Sequence, residues 1–242
     1  VRHLRPELII NAAAHTAVDA AESEPEAAFA INAIAPGVLA EEAAALDVPL
    51  IHYSTDYVFD GSKPTAYDED DVPNPLGVYG RSKLAGEQAI AAVGGKHLIL
   101  RTSWVYSLHG RNFLLTMQRL LQEREQLSVV ADQIGAPTWA GSIAAATGQL
   151  IDRWQTAQTA AWGVYHFTAR GETSWFGFTE AIATQLLAQG KPVAQLTAIA
   201  TREYPTPAQR PLNSRLDCTR LERDWGVSPV SYTHLRAHET EA

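Results

Sequence analysis

Short, apolar β-type runs recur between longer helical ones, and that alternation constrains this chain more than anything else in it. ELIINAA (7–13), PLIHYST (49–55) and KHLILRTSWVY (96–106) read as buried strands, with helical runs over 23–47 and 79–93 between them. Strands that are apolar on both faces need helices covering both faces. The pattern therefore predicts an α/β fold built on a mainly parallel, doubly wound sheet. The 23–47 run is rich in alanine with acids near its start, as helices prefer, and Pro36 predicts a kink or break in it. Gly94-Gly95 closes the helix of 79–93.

The alternation continues more loosely. NFLLTMQRLLQERE (112–125) has helical apolar spacing, LSVVAD (127–132) and VYHFTA (164–169) read as strands, and helices are expected over 139–154 and 174–188. PTPAQRPLNSRL (205–216) reads as irregular, and the acidic run Asp68–Asp71 reads as a solvated loop. Residues 1–106 are expected to belong to a dinucleotide-binding domain. Residues 107–229 are expected to mix later sheet elements with a smaller substrate-binding portion. The segment 230–242, which lacks the preceding periodicity, reads as a non-native tail. Its His234 and His238 have the i, i+4 spacing of a metal pair, but nothing else in the tail supports a metal site.

Composition narrows the function classes. An apolar fraction of 46% with six tryptophans supports a core, and a net charge of −8 disfavours nucleic acid or an anionic membrane as partner. The single cysteine, Cys218, excludes an internal disulfide and fits a reducing compartment. With no signal peptide and no run of 18 apolar residues, the cytoplasm is the expected location.

The chemistry gathers where strands end. In YGRSK (79–83) a tyrosine and a lysine stand one helical turn apart, so Tyr79 and Lys83 project from one face. An ammonium beside a phenol lowers its pKa toward working pH, which suits a tyrosine that hands a proton to a carbonyl oxygen. The preceding strand ends in hydroxyls, Ser54 and Thr55, at the edge where α/β sheets place ligands. A third strand end, NAAAHT (11–16), has small residues that let a flat cofactor approach. Trp104, just before a turn, offers an apolar face for stacking, although a strand tryptophan is more often core. Arg210 is either a forked diphosphate contact or a solvated loop arginine, and Asn213 and Ser214 are weaker candidates. Asp132-Gln133 and Gly135–Thr138 read as a turn serving architecture.

NAAAHTAVDAAESEP, HYSTDYVFDG, YGRSKLAGE, RTSWVY and YPTPAQRPLNSRL occur in this order from about residue 5 to 225. Together they resemble the dTDP-4-dehydrorhamnose reductase family, extended short-chain dehydrogenase/reductases of nucleotide-sugar metabolism. The resemblance implies a Rossmann-like fold and reduction of dTDP-4-dehydro-L-rhamnose to dTDP-L-rhamnose with NADH or NADPH. It implies that Thr55 holds the 4-keto oxygen, Tyr79 protonates it, and Lys83 tunes Tyr79 and binds the nicotinamide ribose. It places Ala14, His15 and Thr16 at the cofactor, and Asp56 and Trp104 at the sugar nucleotide. No metal is implied, and a homodimer is left open.

Two rivals are weighed against this expectation. A dehydratase of the superfamily would carry a glutamate where this chain has Tyr57, and an epimerase is disfavoured by RTSWVY and PTPAQRPLNSRL. A non-catalytic relative, the regulatory subunit of methionine adenosyltransferase, shares the neighbourhoods of SxDYVFDG and YGxxKLxGE. Thr55 and Trp104 favour the enzyme. The family's opening glycine-rich strand–turn–helix does not occur in these 242 residues. About fifty residues, one βαβα segment, are therefore expected to precede Val1 in the natural protein. The chain alone is expected to bind dinucleotide poorly and to be marginally stable or inactive.

Overall fold

The structure is a computed structural model, and it describes residues 1–156 and 161–231. The tail histidines 234 and 238 fall outside the described residues. Among the described residues ten strands run in chain order: β1 (Ile9–Asn11), β2 (Leu50–Thr55), β3 (His97–Thr102), β4 (Val105–Tyr106), β5 (Gln126–Val130), β6 (Ile134–Gly135), β7 (Thr138–Trp139), β8 (Gly163–His166), β9 (Thr173–Ser174) and β10 (Gln195–Ile199). The helices are α1 (Val18–Ser23), α2 (Pro25–Phe29), α3 (Ala35–Leu46), α4 (Val78–Val93), α5 (Phe113–Glu123), α6 (Ala140–Thr156), α7 (Trp175–Ala188) and α8 (Thr219–Trp225).

The main sheet has the order β1-β2-β3-β8, and every pair in it is parallel. Side-chain alternation sorts its residues to two faces. Leu50 and Ile99 pack with Ala40 and Ala43 of α3 and Ile90 of α4, whereas Ile51, Leu98 and Leu100 pack with Ile143 and Leu150 of α6 and Leu221 of α8. The sheet is thus covered on both faces, as the alternation of runs required. A smaller unit stands apart, where β5 pairs in parallel with β10 and packs on α5 and α7 through Leu114, Met117, Leu121, Phe178 and Ile182.

Four expectations need correction. The 96–106 run is not one strand: Trp104 takes a left-handed φ of 49° and splits it into β3 and β4. Pro36 neither breaks nor ends its helix. A π turn over Ala30–Ile34 lies directly ahead of it, and the proline, which has no N–H to donate, sits at the second residue of α3. The acidic run is not wholly solvated. The Glu69 side chain is buried, its Oε1 accepting from the His166 N–H at 2.9 Å, while Arg220 pairs with both Glu69 and Asp70. Sequence reading also missed β10 and α8 altogether. The consecutive helical stretch Pro25–Leu46 is long and apolar enough to cross a membrane by length and composition, with a mean hydropathy of 1.3. Here Ala28, Ala40 and Ala43 are buried while Ile31, Ile34 and Val38 are exposed.

Candidate active site

The parallel strands bring three chain segments to one edge of the sheet. Thr55 ends β2 and Asp56 follows it, Thr102 ends β3 and Ser103 follows it, and the Ala13–Thr16 loop follows β1. α4 begins against this edge. Its first N–H, on Val78, donates to Glu22 Oε1 at 2.7 Å, a carboxylate placed where the helix dipole favours it. Gly86 lets α4 lie directly on the π turn, since a Cβ there would sit 2.1 Å from the Asn32 carbonyl oxygen.

Asn32, absent from the sequence candidates, joins these parts. Fully buried, it accepts from the His15 N–H at 2.8 Å and donates to the His15 carbonyl and to Ser82 Oγ, each at 3.0 Å. Ser82 Oγ in turn donates to the Tyr79 carbonyl at 2.8 Å. One amide thus ties the β1 loop to the first turn of α4. Only the extra residue of the π turn aims it there, and no propensity scale signals that.

Thr55 and Tyr79 meet. The Thr55 hydroxyl lies in hydrogen-bonding reach of the Tyr79 phenol, and burial pushes the phenol up to about 12 against that hydrogen bond. Tyr57 braces the Tyr79 ring edge-on, with centroids 5.4 Å apart. Asp56, 3% exposed, takes the Thr55 hydroxyl at 3.0 Å, and its carboxyl is pushed up to about 6 by burial, with Ser214 and Thr55 opposing.

Lys83 has its nearest partners on β2, while burial sets the phenol above its ordinary value. Its Nζ donates to the Tyr53 carbonyl at 2.6 Å and lies 3.1 Å from His52 Nε2. Burial lowers the lysine to about 8, with Glu87 opposing. Glu87, one turn further along α4, is clamped by Ser54 Oγ at 2.5 Å and Arg101 NH2 at 2.6 Å, a buried pair that locks α4 onto β2 and β3.

Among the described residues, three buried side-chain atoms lack a hydrogen-bond partner: His15 Nδ1, Asp56 Oδ2 and Thr102 Oγ1. They follow or end β1, β2 and β3 respectively, all at the same edge. Buried polar atoms are almost always satisfied, so orphans gathered in one place mark where a polar ligand belongs. Ala14, partly exposed, and Thr16, exposed, lie in the same loop.

The sugar-nucleotide candidates lie further out. Trp104 stacks on Trp175 with ring centroids 3.6 Å apart and 10° between planes, and Gly135 leaves room for its indole. Trp175 lines a cavity of about 700 Å³ together with Phe113, Met117, Tyr204 and Arg210. The Arg210 fork is neither solvated nor free. It grips both oxygens of Asp19, at 2.8 and 3.1 Å, so an anionic ligand there competes with a carboxylate from α1. Asn213 is structural, donating to the Lys63 and Thr65 carbonyls at 2.7 Å each, and Gln133 holds the Trp175 indole N–H at 3.1 Å.

A parallel sheet covered on both faces, with a hydroxyl and a partly buried phenol meeting at its carboxyl edge, defines a Rossmann-like reductase. The family model described as the RmlD substrate binding domain matches residues 1–238. The dTDP-4-dehydrorhamnose reductase of Sinorhizobium fredii is 47% identical over 228 residues, covering 94% of this chain and 77% of that one. The Burkholderia thailandensis reductase is 46% identical over 234 residues, covering 94% and 78%. The crystal structure of the Bacillus anthracis dTDP-4-dehydrorhamnose reductase in complex with NADP superposes with a TM-score of 0.90 at 37% identity, covering 100% of this chain and 83% of that one. The chain belongs to the dTDP-4-dehydrorhamnose reductase family.

Proposed function

We propose that this protein reduces the 4-keto group of dTDP-4-dehydro-L-rhamnose to the alcohol of dTDP-L-rhamnose, using NADH or NADPH. The observation that carries the reading is the sheet edge itself. Thr55 and Tyr79 meet there, and the three orphaned polar atoms line the ends of adjacent strands.

Those orphans also test whether the residues suit a dinucleotide. His15 Nδ1 in the small-residue loop, with the amine of Lys83 nearby on α4, fits the nicotinamide–ribose half, and these residues would hold it. Bound there, the reduced nicotinamide supplies the hydride. The protein's part is proton delivery and alignment. Burial keeps Tyr79 protonated throughout the neutral range, so the phenol enters as an acid able to protonate an oxygen that is gaining charge. The Thr55 hydroxyl has a single proton, held by Asp56 in this structure, and it directs the same oxygen once that proton turns from Asp56 to it. The cavity lined by Trp175 and Arg210 suits the nucleotide end of the substrate: aromatic faces for a base and a guanidinium for phosphate.

The test follows NADPH and NADH oxidation by absorbance with dTDP-4-dehydrorhamnose, and product identity by mass spectrometry. Stoichiometric formation of dTDP-rhamnose supports the reading. Sugar-nucleotide binding with no hydride transfer by either dinucleotide favours a non-catalytic relative instead.

A further inference from the structure

α4 carries two buried charged side chains one turn apart, Lys83 and Glu87. Strand pairing brings a third beneath them, since β3 sets the buried Arg101 beside Ser54 of β2. Two cations therefore share one carboxylate in the layer between α4 and the sheet. Arg101 takes both oxygens of Glu87, with Nε 3.0 Å from Oε1 and NH2 2.6 Å from Oε2, and Ser54 Oγ donates to Oε1. The remaining arm of the guanidinium, NH1, lies 3.5 Å from His166 Nε2, and its carbon lies over the Phe59 ring at 5.1 Å. His166 can only accept there, because its Nδ1 faces the Tyr67 carbonyl at 3.1 Å and carries the ring proton. The guanidinium is fixed on three sides, and the carboxylate with it.

We propose that Glu87 is a positioning residue for Lys83: fixed by Arg101 and Ser54, its carboxylate is the counter-charge that keeps the lysine an ammonium. This deepens the reductase reading, on which the importance of Lys83 rests. The charge makes Lys83 a strong donor beside the sheet edge.

Among the described residues, no other group around Lys83 supplies that charge. On α4 itself, Tyr79 is held protonated by burial. β2 offers His52, which burial and the charge of Lys83 push down to about 3, so the ring brings no charge of its own. Asp56, just past β2, takes the Thr55 hydroxyl, and its carboxyl is pushed up to about 6. β3 offers Arg101, a second cation. β1 and the π turn contribute the uncharged Asn11 and Asn32, and His15 of the β1 loop faces Glu24. Burial draws Lys83 down to about 8, with Glu87 opposing. At that value the lysine is mostly charged at neutral pH, and a further fall would end this.

The experiment is NMR on the whole chain, labelled at the lysine ε-carbons. The chain has four lysines, at 63, 83, 96 and 191, and Lys→Arg replacement of the other three assigns Lys83. Its ε-carbon should titrate near pH 8 in the wild type. Glu87→Gln keeps the shape and an oxygen for Arg101 and Ser54 but removes the charge, which leaves two cations facing one another. The Lys83 midpoint should then fall by about one pH unit or more, a tenfold change in the ammonium-to-amine ratio. Glu87→Gln combined with Arg101→Met takes away the second cation as well, a replacement that buried ion pairs tolerate. Its midpoint should lie between those of the wild type and the single variant. A midpoint unmoved by Glu87→Gln, or a double variant displaced as far as the single, refutes the proposal, because a purely structural pair gives no such recovery. Should the single variant not fold, the double variant decides alone: a midpoint below the wild-type value supports the proposal, and one at or above it overturns it. These midpoints are read without substrate or turnover, so failure of the reductase reading and failure of this one are told apart.

Discussion

At the carboxyl ends of β1, β2 and β3 the buried atoms are polar, and several of them are unsatisfied or held in uncomfortable protonation states. Behind the nearby cavity, the cluster formed by α5, α7 and β5 is apolar throughout, from Leu114 and Leu121 to Phe178 and Leu186. The two regions are joined by the Trp104–Trp175 stack and by the Asp19–Arg210 pair. The difference separates two tasks. The apolar unit stabilises the fold and shapes a wall, and the sheet edge forgoes stability to keep reactive groups poised.

That contrast can be broken at either end. Tyr79→Phe should cut turnover by roughly a thousandfold while leaving sugar-nucleotide affinity, read by calorimetry, almost unchanged. Equal loss of both would make the phenol a structural group. Leu121→Ala, deep in the apolar unit, should cost about 3 kcal/mol in urea unfolding yet leave turnover per folded molecule nearly as it was. A large change in chemistry would show that the two regions are not separable.

Asp56→Asn sharpens the comparison. The folded protein raises the Asp56 pKa from 3.8 to about 6, so it favours the protonated carboxyl, and that stability is lost as pH rises through about 6. The neutral variant should therefore be more stable than wild type at pH 8, by up to roughly 3 kcal/mol, with the gap closing below about pH 4. It should also turn over more slowly. A variant less stable than wild type at pH 8 would mean that the charged carboxylate is well satisfied. The smallest effect belongs to the seam. A Cβ at Gly135 would lie 2.5 Å from the Trp104 indole. Gly135→Ala should cost about 1 kcal/mol and raise KM severalfold with kcat within about twofold.

Much of the sheet was legible because its signals are local. Apolar runs such as HLIL and turn glycines such as Gly94, which ends α4 with φ of 72°, are written in consecutive residues. β10 was not, since QLTAI is largely exposed and gains its meaning only from its parallel partner β5. The Thr55 hydroxyl and the Tyr79 phenol were visible as candidates from strand-end position and motif. The His52–Asn11 contact was not, because it needs the register between β1 and β2, 41 residues apart. The orientation of Lys83 was not legible for a related reason. An i, i+4 spacing puts two side chains on one face but does not say which acceptor a long flexible amine will choose.

The π turn over Ala30–Ile34 amounts to a one-residue phase shift in an otherwise continuous coil. Removing a single residue from it would return the coil to regular winding and swing every earlier side chain by about 100° relative to α3. The Asn32 clamp would come away from the His15 loop, although no residue that touches a ligand had been altered. The spacing of this segment, more than its alanine-rich content, is what the site cannot do without.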